Sequence, residues 1–119
     1  MSVYRRIDEG NRPTWADLTS AGTFRIEPED RYDPHYHAGH EYWLISRGRG
    51  VVELDGERHQ LEEGDILAIE RGRVHDIVGL WEPLEGFWFE GPVPSGESGG
   101  HIHRTREDAE GHVIPLLTE

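Results

Sequence analysis

Cysteine and lysine are both absent from the 119-residue sequence. Without cysteine, disulfides, thiolate metal ligands and cysteine nucleophiles are excluded. Without lysine, no side-chain amine is left to form a Schiff base, because all 12 basic residues are arginines. Any metal ion must therefore be bound through histidine and carboxylate side chains.

Long apolar segments are also missing. No stretch approaches the roughly 18 consecutive apolar residues that a membrane-spanning helix needs, and the N-terminal sequence lacks the apolar core of a signal peptide. The formal net charge of −12 opposes binding to nucleic acids and anionic lipids. We therefore expect a cytoplasmic protein whose partners include neither nucleic acid nor membrane.

The apolar residues that are present occur in short runs that favour β-strands. The runs are rich in Val, Ile and aromatic residues, and Gly or Asp repeatedly interrupts them. No helical pattern is evident in the middle of the chain. We predict an all-β fold with strands at 22–26, 35–37, 41–47, 51–54, 57–61, 66–70, 75–78 and 84–90.

Turn residues divide the chain into a core and a tail. Asp55-Gly56 is a two-residue β-hairpin signal between two of the predicted strands. The segment 91–100 is rich in Gly, Pro and Ser, which predicts a flexible loop. We interpret residues 1–119 as a single domain, with a barrel core at 22–90 and a C-terminal tail at 101–119 that has no evident structure.

Four residues form a candidate metal-binding set. His35 and His37 lie two positions apart, so on a strand both imidazoles face the same side. Gly39 permits a bend that can return the carboxylate of Glu41 to the same centre, and His75 would complete the set from a distant strand. A single histidine is weak evidence for a ligand, but this combination in a β-rich chain is specific.

The segment from His35 to Gly48 resembles the first motif of the cupin superfamily. A second cupin-like motif follows after the predicted hairpin, formed by Gly64-Asp65, Gly72 and His75. The resemblance covers residues 29–79 and implies a double-stranded β-helix, or jelly-roll barrel, that binds a metal ion. The ligands that it implies are His35, His37, Glu41 and His75.

Three positions depart from the family pattern, and none is an implied ligand. Glu29 stands where a glycine is usual, Glu70 where a proline is usual, and Gly79 where an asparagine is usual. Three imidazoles and one carboxylate suit Zn, Fe, Mn, Ni, Co or Cu. A closed tetrahedral zinc site would be structural, whereas open coordination positions would admit water or substrate.

The neighbouring residues suggest a substrate pocket. Alternation from Glu41 puts Trp43 and Ile45 on the metal-facing side of their strand. Phe87 and Phe89 share one face of a later strand and Trp88 occupies the other, so either set could line the cavity. Trp43 is the best candidate for a pocket wall, whereas Phe87, Trp88 and Phe89 are more readily interpreted as ordinary core residues.

The sequence offers only weak candidates for a catalytic acid or base: His40, Glu53, His101 and His103. His40 is more readily interpreted as a surface residue. His101 and His103 repeat the chelating spacing and could form a lid, a second weak metal site or an exposed pair. His59 and His112 have no supporting neighbours, and we expect both to be exposed.

Two classes of function remain open. The first is a metalloenzyme that acts on a small polar molecule, since small cupins include sugar isomerases and epimerases, dioxygenases, lyases and zinc-dependent biosynthetic enzymes. The second is a non-catalytic domain that binds or senses a small, sugar-like molecule. We also expect a homodimer, because a small open β-sandwich has sheet edges to protect. Its contact could come from the region 1–20 or the apolar C-terminal end.

Overall fold

A computed structural model describes residues 3–94, 97 and 100–119. Within these residues the strands are β1 Ser20–Ile26, β2 Arg31–Tyr32, β3 Glu41–Arg47, β4 Arg49–Leu54, β5 Glu57–Glu62, β6 Ile66–Ile69, β7 His75–Leu80, β8 Leu84–Glu90 and β9 His112–Val113. A short helix, α1, spans Arg106–Glu110. Positions 95, 96, 98 and 99 of the predicted flexible loop lie outside the described residues, so its flexibility stays a prediction.

Two antiparallel sheets form the body of the molecule. One has the strand order β1-β8-β3-β6 and the other has the order β5-β4-β7. Apolar side chains from both sheets share one core, in which Val52, Ile77, Leu80 and Leu84 are almost completely buried. The all-β prediction is therefore confirmed.

Strand β3 shows how the period-two pattern builds this core. Glu41, Trp43 and Ile45 are buried, whereas Tyr42 and Leu44 are exposed on the other face. Burying every second side chain of a strand favours one register, because a slip of one residue would turn the apolar face to solvent. The predicted alternation of this strand is confirmed.

The predicted hairpin between β4 and β5 is also confirmed. Asp55 and Gly56 have φ angles of 46° and 86°, the left-handed conformations that a two-residue type I′ turn requires. Asp55 also links the hairpin to the segment just before β7, because its carboxylate accepts hydrogen bonds from Val74 N at 3.0 Å and Arg73 Nε at 3.4 Å.

The prediction of a strand at 35–37 is wrong. His35 pairs with His75 on one side and Tyr36 pairs with Ile102 on the other, and both are isolated bridges. Neither bridge continues to a second residue pair, so no ladder forms at this position. The two bridges nevertheless fix the backbone that carries His35 and His37.

The C-terminal tail packs against the two sheets. β9 pairs with β2, and the side chain of Ile114 is completely buried in the shared core. Leu80 N donates to Pro115 O at 3.1 Å, and Leu117 N donates to Leu80 O at 2.8 Å. A Cβ atom at Gly79 would come within 2.7 Å of the Leu117 side chain, so the departure from the family asparagine makes room for the tail.

Glu29, the position where the family has glycine, retains a glycine-like backbone. Its φ angle is 76°, in the left-handed region that is unfavourable for most residues. The Glu29 N–H donates to Ile114 O at 2.7 Å, so pairing with the tail helps hold this conformation. Among the described residues, no helix is long and apolar enough to cross a membrane.

Candidate metal centre

His35 and His75 meet through a backbone bridge. His75 N donates to His35 O at 2.8 Å and His35 N donates to His75 O at 3.2 Å, which brings the ring centroids to 4.2 Å. The Nδ1 atom of His35 is hydrogen-bonded to the Asp33 carbonyl oxygen. A proton on Nδ1 leaves the Nε2 lone pair available to an ion, the usual arrangement for a metal-bound histidine.

His37 and Glu41 lie beside this pair. His37 Nδ1 donates to Gly100 O at 3.1 Å, and His37 Nε2 lies 3.5 Å from Glu41 Oε2. Glu41 begins β3, and its Oε1 atom accepts a hydrogen bond from Trp43 Nε1 at 3.0 Å. The side chains of His37 and Glu41 are both buried, and the hydrogen bond from Trp43 orients the carboxylate.

His75 is the most unusual side chain of the group. It is only 1% exposed, and neither ring nitrogen makes a hydrogen bond of normal distance and angle in the described part of the chain. A weaker contact with the Arg73 backbone opposes part of the effect of burial on the pKa of His75. Its Nε2 atom lies 3.5 Å from Glu41 Oε1. Because an unsatisfied buried polar group is costly, native proteins rarely retain one without a partner such as an ion.

Burial also keeps His35 and His75 neutral. It lowers the pKa of His75 to about 2 and that of His35 to about 4, and the neighbouring histidines add to the effect. Burial raises the pKa of Glu41 above its ordinary value. Neutral imidazoles offer the lone pairs that metal binding requires.

The distances among His37, Glu41 and His75 fit a shared ion. Two ligand atoms that each lie about 2.0–2.2 Å from one metal ion are roughly 3.0–3.5 Å apart. The two histidine–Glu41 separations, both 3.5 Å, are near this range. Ligand atoms of His37, Glu41 and His75 lie within 4.8 Å of one another, and His37 also belongs to a second such group with His35 and His101.

The four side chains open onto a pocket of about 470 Å³ with aromatic walls. Trp43 and Trp88 both line it, as do Phe24 and Tyr32. Burial, followed by the charge of Glu41, raises the pKa of Tyr32 well above its usual value. The phenol therefore stays protonated in the pocket.

Other predicted pocket residues lie elsewhere. Ile45 is on the predicted face of β3 but packs in the core beyond the pocket. Phe87 and Phe89 occupy the opposite face of β8 from Trp88, and Phe87 is 47% exposed. Of these three aromatic side chains, Trp88 is therefore the one that lines the pocket.

Two of the weak catalytic candidates lie away from the pocket. His40 is exposed, and its Nδ1 atom accepts a hydrogen bond from Arg71 N at 2.9 Å. Glu53 forms an ion pair with Arg58 at 3.1 Å on the β4–β5 hairpin. Neither side chain lines the pocket.

The other two candidates lie close to the buried histidines. The His101 ring stacks on His35 with 3.5 Å between centroids, and His101 lines the pocket. His103 contacts Asp33 at 2.7 Å. The expectation for His112 was wrong, because it is half-buried and its Nε2 atom contacts Asp76 Oδ1 at 2.6 Å.

Sequence reasoning missed Glu90, which is 5% exposed and lines the pocket. Its Oε2 atom lies 3.8 Å from His37 Nδ1, and burial raises its pKa. Alternation from Trp88 places Glu90 on the pocket-facing side, so this signal was available in the sequence. Asp33 was missed because its link to His35 runs through a backbone carbonyl.

Comparison with known proteins places this arrangement in a family. The model of the cupin domain matches residues 22–85. The uncharacterized protein y4oW of Sinorhizobium fredii is 35% identical over 101 residues, which are 72% of this chain and 47% of that protein. An uncharacterized Aquifex aeolicus protein is 44% identical over 43 residues, covering 35% of this chain and 36% of that protein. The chain thus spans half or less of these curated relatives.

Solved structures share the fold. A cupin protein from Bacteroides fragilis has a TM-score of 0.60 and 19% identity over 88% of this chain and 95% of its own. A cupin-like protein from Thermotoga maritima has a TM-score of 0.61 and 24% identity over 71% and 63%. The DMSP lyase DddQ from Ruegeria pomeroyi has a TM-score of 0.60 and 18% identity over 67% and 41%. The double-stranded β-helix fold is confirmed, and the chain belongs to the cupin family.

Proposed function

We propose that this chain is a metal-dependent cupin enzyme that acts on a small polar molecule. One divalent transition metal would be held by His35, His37, Glu41 and His75. The observation that carries the proposal is His75, whose two ring nitrogens are buried and make no hydrogen bond of normal distance and angle among the described residues. A neutral ring in this position is stabilised if a nearby ion binds the lone pair of its unprotonated nitrogen.

The donor set supports Zn, Fe, Mn, Ni, Co or Cu as the resident ion. When bound, such an ion supplies Lewis-acid or redox chemistry at coordination positions that the protein leaves open. Sugar isomerisation or epimerisation, dioxygenation, lyase chemistry and zinc-dependent biosynthesis are the candidate reactions. DddQ, a DMSP lyase, shares the fold at 18% identity, so the likeness supports the fold and leaves the reaction open.

The side chains around the centre have complementary tasks in this proposal. Trp43 orients Glu41 through its indole N–H, and the Asp33 carbonyl fixes the ring of His35. Trp43 and Trp88 provide aromatic surface for the substrate and exclude water from it. The open volume of the pocket is suited to a small ligand.

We further propose Glu90 as the acid or base of the pocket. It is a buried carboxyl group that lines the cavity next to His37, and its burial favours the protonated form. Once a substrate is found, Glu90→Gln should lower turnover by about 10²–10⁴-fold with unchanged metal content. Full activity in that variant would remove Glu90 from this role.

Metal analysis tests the proposed centre. Elemental mass spectrometry of untagged wild-type protein should give near one equivalent of a transition metal, and His75→Ala and Glu41→Ala should lose it. His59→Ala is the matched control, because His59 is a half-buried histidine on β5 that lies outside the pocket and contacts Glu57 at 3.2 Å. Iron, manganese, nickel or copper would direct the substrate search to oxygen chemistry, and zinc alone to Lewis-acid reactions.

Absence of metal uptake would instead favour a non-catalytic binding domain. Wild-type protein that contains no transition metal, and takes up none on titration, contradicts the metalloenzyme proposal. Binding of a small sugar-like molecule without turnover would then support the second class of function. A loss of metal in His59→Ala equal to that in His75→Ala would point to nonspecific binding.

We propose that residues 1–119 act as one cupin domain that forms a homodimer. The outer face of the sheet β1-β8-β3-β6 exposes Tyr42, Leu44 and Ile66, and a groove there also includes Trp15 and Leu18. Trp15 is 81% exposed, which suits a contact from the N-terminal region. Light scattering should give a dimer mass at micromolar concentration, and a monomer mass would contradict this. A cytoplasmic location stays a prediction.

A further inference from the structure

The segment His101-Ile102-His103 adjoins the pocket, which His101 lines, and we call it the histidine strap. Its middle residue is fixed by two hydrogen bonds with Tyr36, from Tyr36 N to Ile102 O and from Ile102 N to Tyr36 O, each 3.0 Å long. Alternate side chains of an extended segment project to the same side. The two histidines of the strap therefore reach one common neighbour.

That neighbour is Asp33. Its Oδ2 atom lies 2.8 Å from His101 Nδ1 and 2.7 Å from His103 Nε2. The ligand atoms of the three residues all lie within 4.8 Å of one another. His101 is 51% exposed at its side chain, and Asp33 and His103 are each slightly more than a quarter exposed, so ions in solution can reach the cluster.

We propose that Asp33, His101 and His103 form a second site for a divalent transition metal. Two imidazoles and one carboxylate are a donor set that first-row metals favour, and three protein ligands leave positions for water or another molecule. The net charge of −12 attracts cations to the protein. The site does not rest on the proposed function, because Asp33 and His103 lie outside the pocket lining and the four-residue buried centre. His101 is shared with the pocket wall, where it stacks on His35.

Without a metal, the same three residues can be joined by hydrogen bonds. Each histidine then donates the proton of the nitrogen that faces Asp33. Metal binding requires a lone pair at that nitrogen instead, so a proton must leave or move to the other ring nitrogen. A useful variant therefore keeps a hydrogen-bond donor but removes the imidazole ligand.

His103→Gln meets this requirement, because the glutamine amide can donate to Asp33. Asp33→Asn removes the carboxylate charge with little change of shape. We would measure resident metal by elemental analysis and then add Zn²⁺ by isothermal titration to the full chain. The total should be two equivalents for wild type and one for either variant. His59→Ala is the control and should keep two.

The buried centre can be separated from this result. His75→Ala should lose one equivalent and still bind Zn²⁺ at the strap, so failure of one site does not imply failure of the other. A wild-type total of one equivalent overturns the proposal. It is equally overturned if Asp33→Asn and His103→Gln both bind two equivalents. Circular dichroism melts identify the variants that fold, and either folded variant is decisive.

His101 provides one further check, because it also lies near His35 and His37. In the proposal, His101→Ala removes the same equivalent as His103→Gln. If His101→Ala instead removes the equivalent that His75→Ala removes, and His103→Gln changes nothing, then His101 belongs to the buried centre. That result contradicts the second site.

Discussion

The chain contains two His-x-His segments at the same end of the molecule, and their surroundings differ. His35 and His37 are buried at 3% and 7% exposure, and each Nδ1 atom contacts a backbone carbonyl. His101 and His103 lie closer to solvent, and both contact the carboxylate of Asp33. Equal spacing therefore produces two different chemical environments.

The difference shows that burial and partners decide what a histidine pair can do. Desolvation lowers the pKa of His35 and keeps its ring neutral, and a carbonyl contact at Nδ1 directs metal binding to the Nε2 atom of each inner histidine. The strap histidines already have a carboxylate partner, so an ion must displace hydrogen bonds and compete with water. We expect tighter metal binding at the inner site.

The largest expected effect is on stability, when the C-terminal segment 112–117 loses its anchor in the core. Ile114→Ala removes most of a fully buried side chain that anchors this segment in the core. We expect a loss of about 2–4 kcal/mol in the free energy of unfolding, measured by urea denaturation. Val113→Ala, at a position that is 52% exposed, is the control and should cost less than about 1 kcal/mol. Equal losses would contradict the anchoring role of Ile114.

A smaller effect is expected on metal affinity, and only at the buried centre. Trp43→Phe keeps an aromatic wall but removes the 3.0 Å hydrogen bond from Trp43 Nε1 to Glu41. Loss of such a supporting bond should weaken metal affinity by about tenfold, measured by competition with a chelator. Trp88→Phe alters the same pocket without this bond and should leave the affinity unchanged. Similar affinities for the two variants would show that Trp43 does not orient Glu41.

The smallest effect should come from a third histidine contact, in the C-terminal segment. Burial opposes protonation of His112, but its hydrogen bond to Asp76 outweighs this and raises the pKa of His112. A raised pKa stabilises the fold below the unfolded value of about 6.5, and this contribution disappears as pH rises through the folded pKa. His112→Gln should therefore lose most stability relative to wild type near pH 5.5.

The difference between wild type and His112→Gln should shrink as the pH rises to 8.5, when both are measured in the same metal state. Denaturation at several pH values would measure it. Because His112 is about one third exposed, we expect a change well below that of Ile114→Ala. A difference that is constant with pH would contradict the contribution of protonated His112.

Local patterns predicted much of the fold. Alternation fixed the buried face of β3, and Asp55-Gly56 marked the hairpin because its backbone conformation depends on two adjacent residues. The resemblance to the family motif predicts His35, His37, Glu41 and His75 as ligands from the sequence alone. Bridges to distant residues, such as the one from Tyr36 to Ile102, leave no signal in the local sequence. The prediction of a strand at 35–37 is wrong for this reason.

The tail shows a second limit. The apolar sequence around Ile114 is short and lacks a clear period. The segment is nevertheless held in place by distant residues: Gly79 leaves room for Leu117, and the backbones of Leu80 and Glu29 pair with it. Glu90 was missed for a different reason. Alternation puts it on the same face as Trp88, but that this face meets the site beside Glu41 becomes visible only after β3 and β8 are paired. Long-range pairing therefore separates what could be predicted from what could not.

The most direct test of the central claim is a crystal structure of the wild-type protein with anomalous diffraction at the absorption edge of its resident metal. We predict a peak about 2.0–2.3 Å from ring nitrogens of His35, His37 and His75 and from an oxygen of Glu41. A peak only beside Asp33, His101 and His103, or no peak in protein supplied with metal, would contradict the buried metal centre.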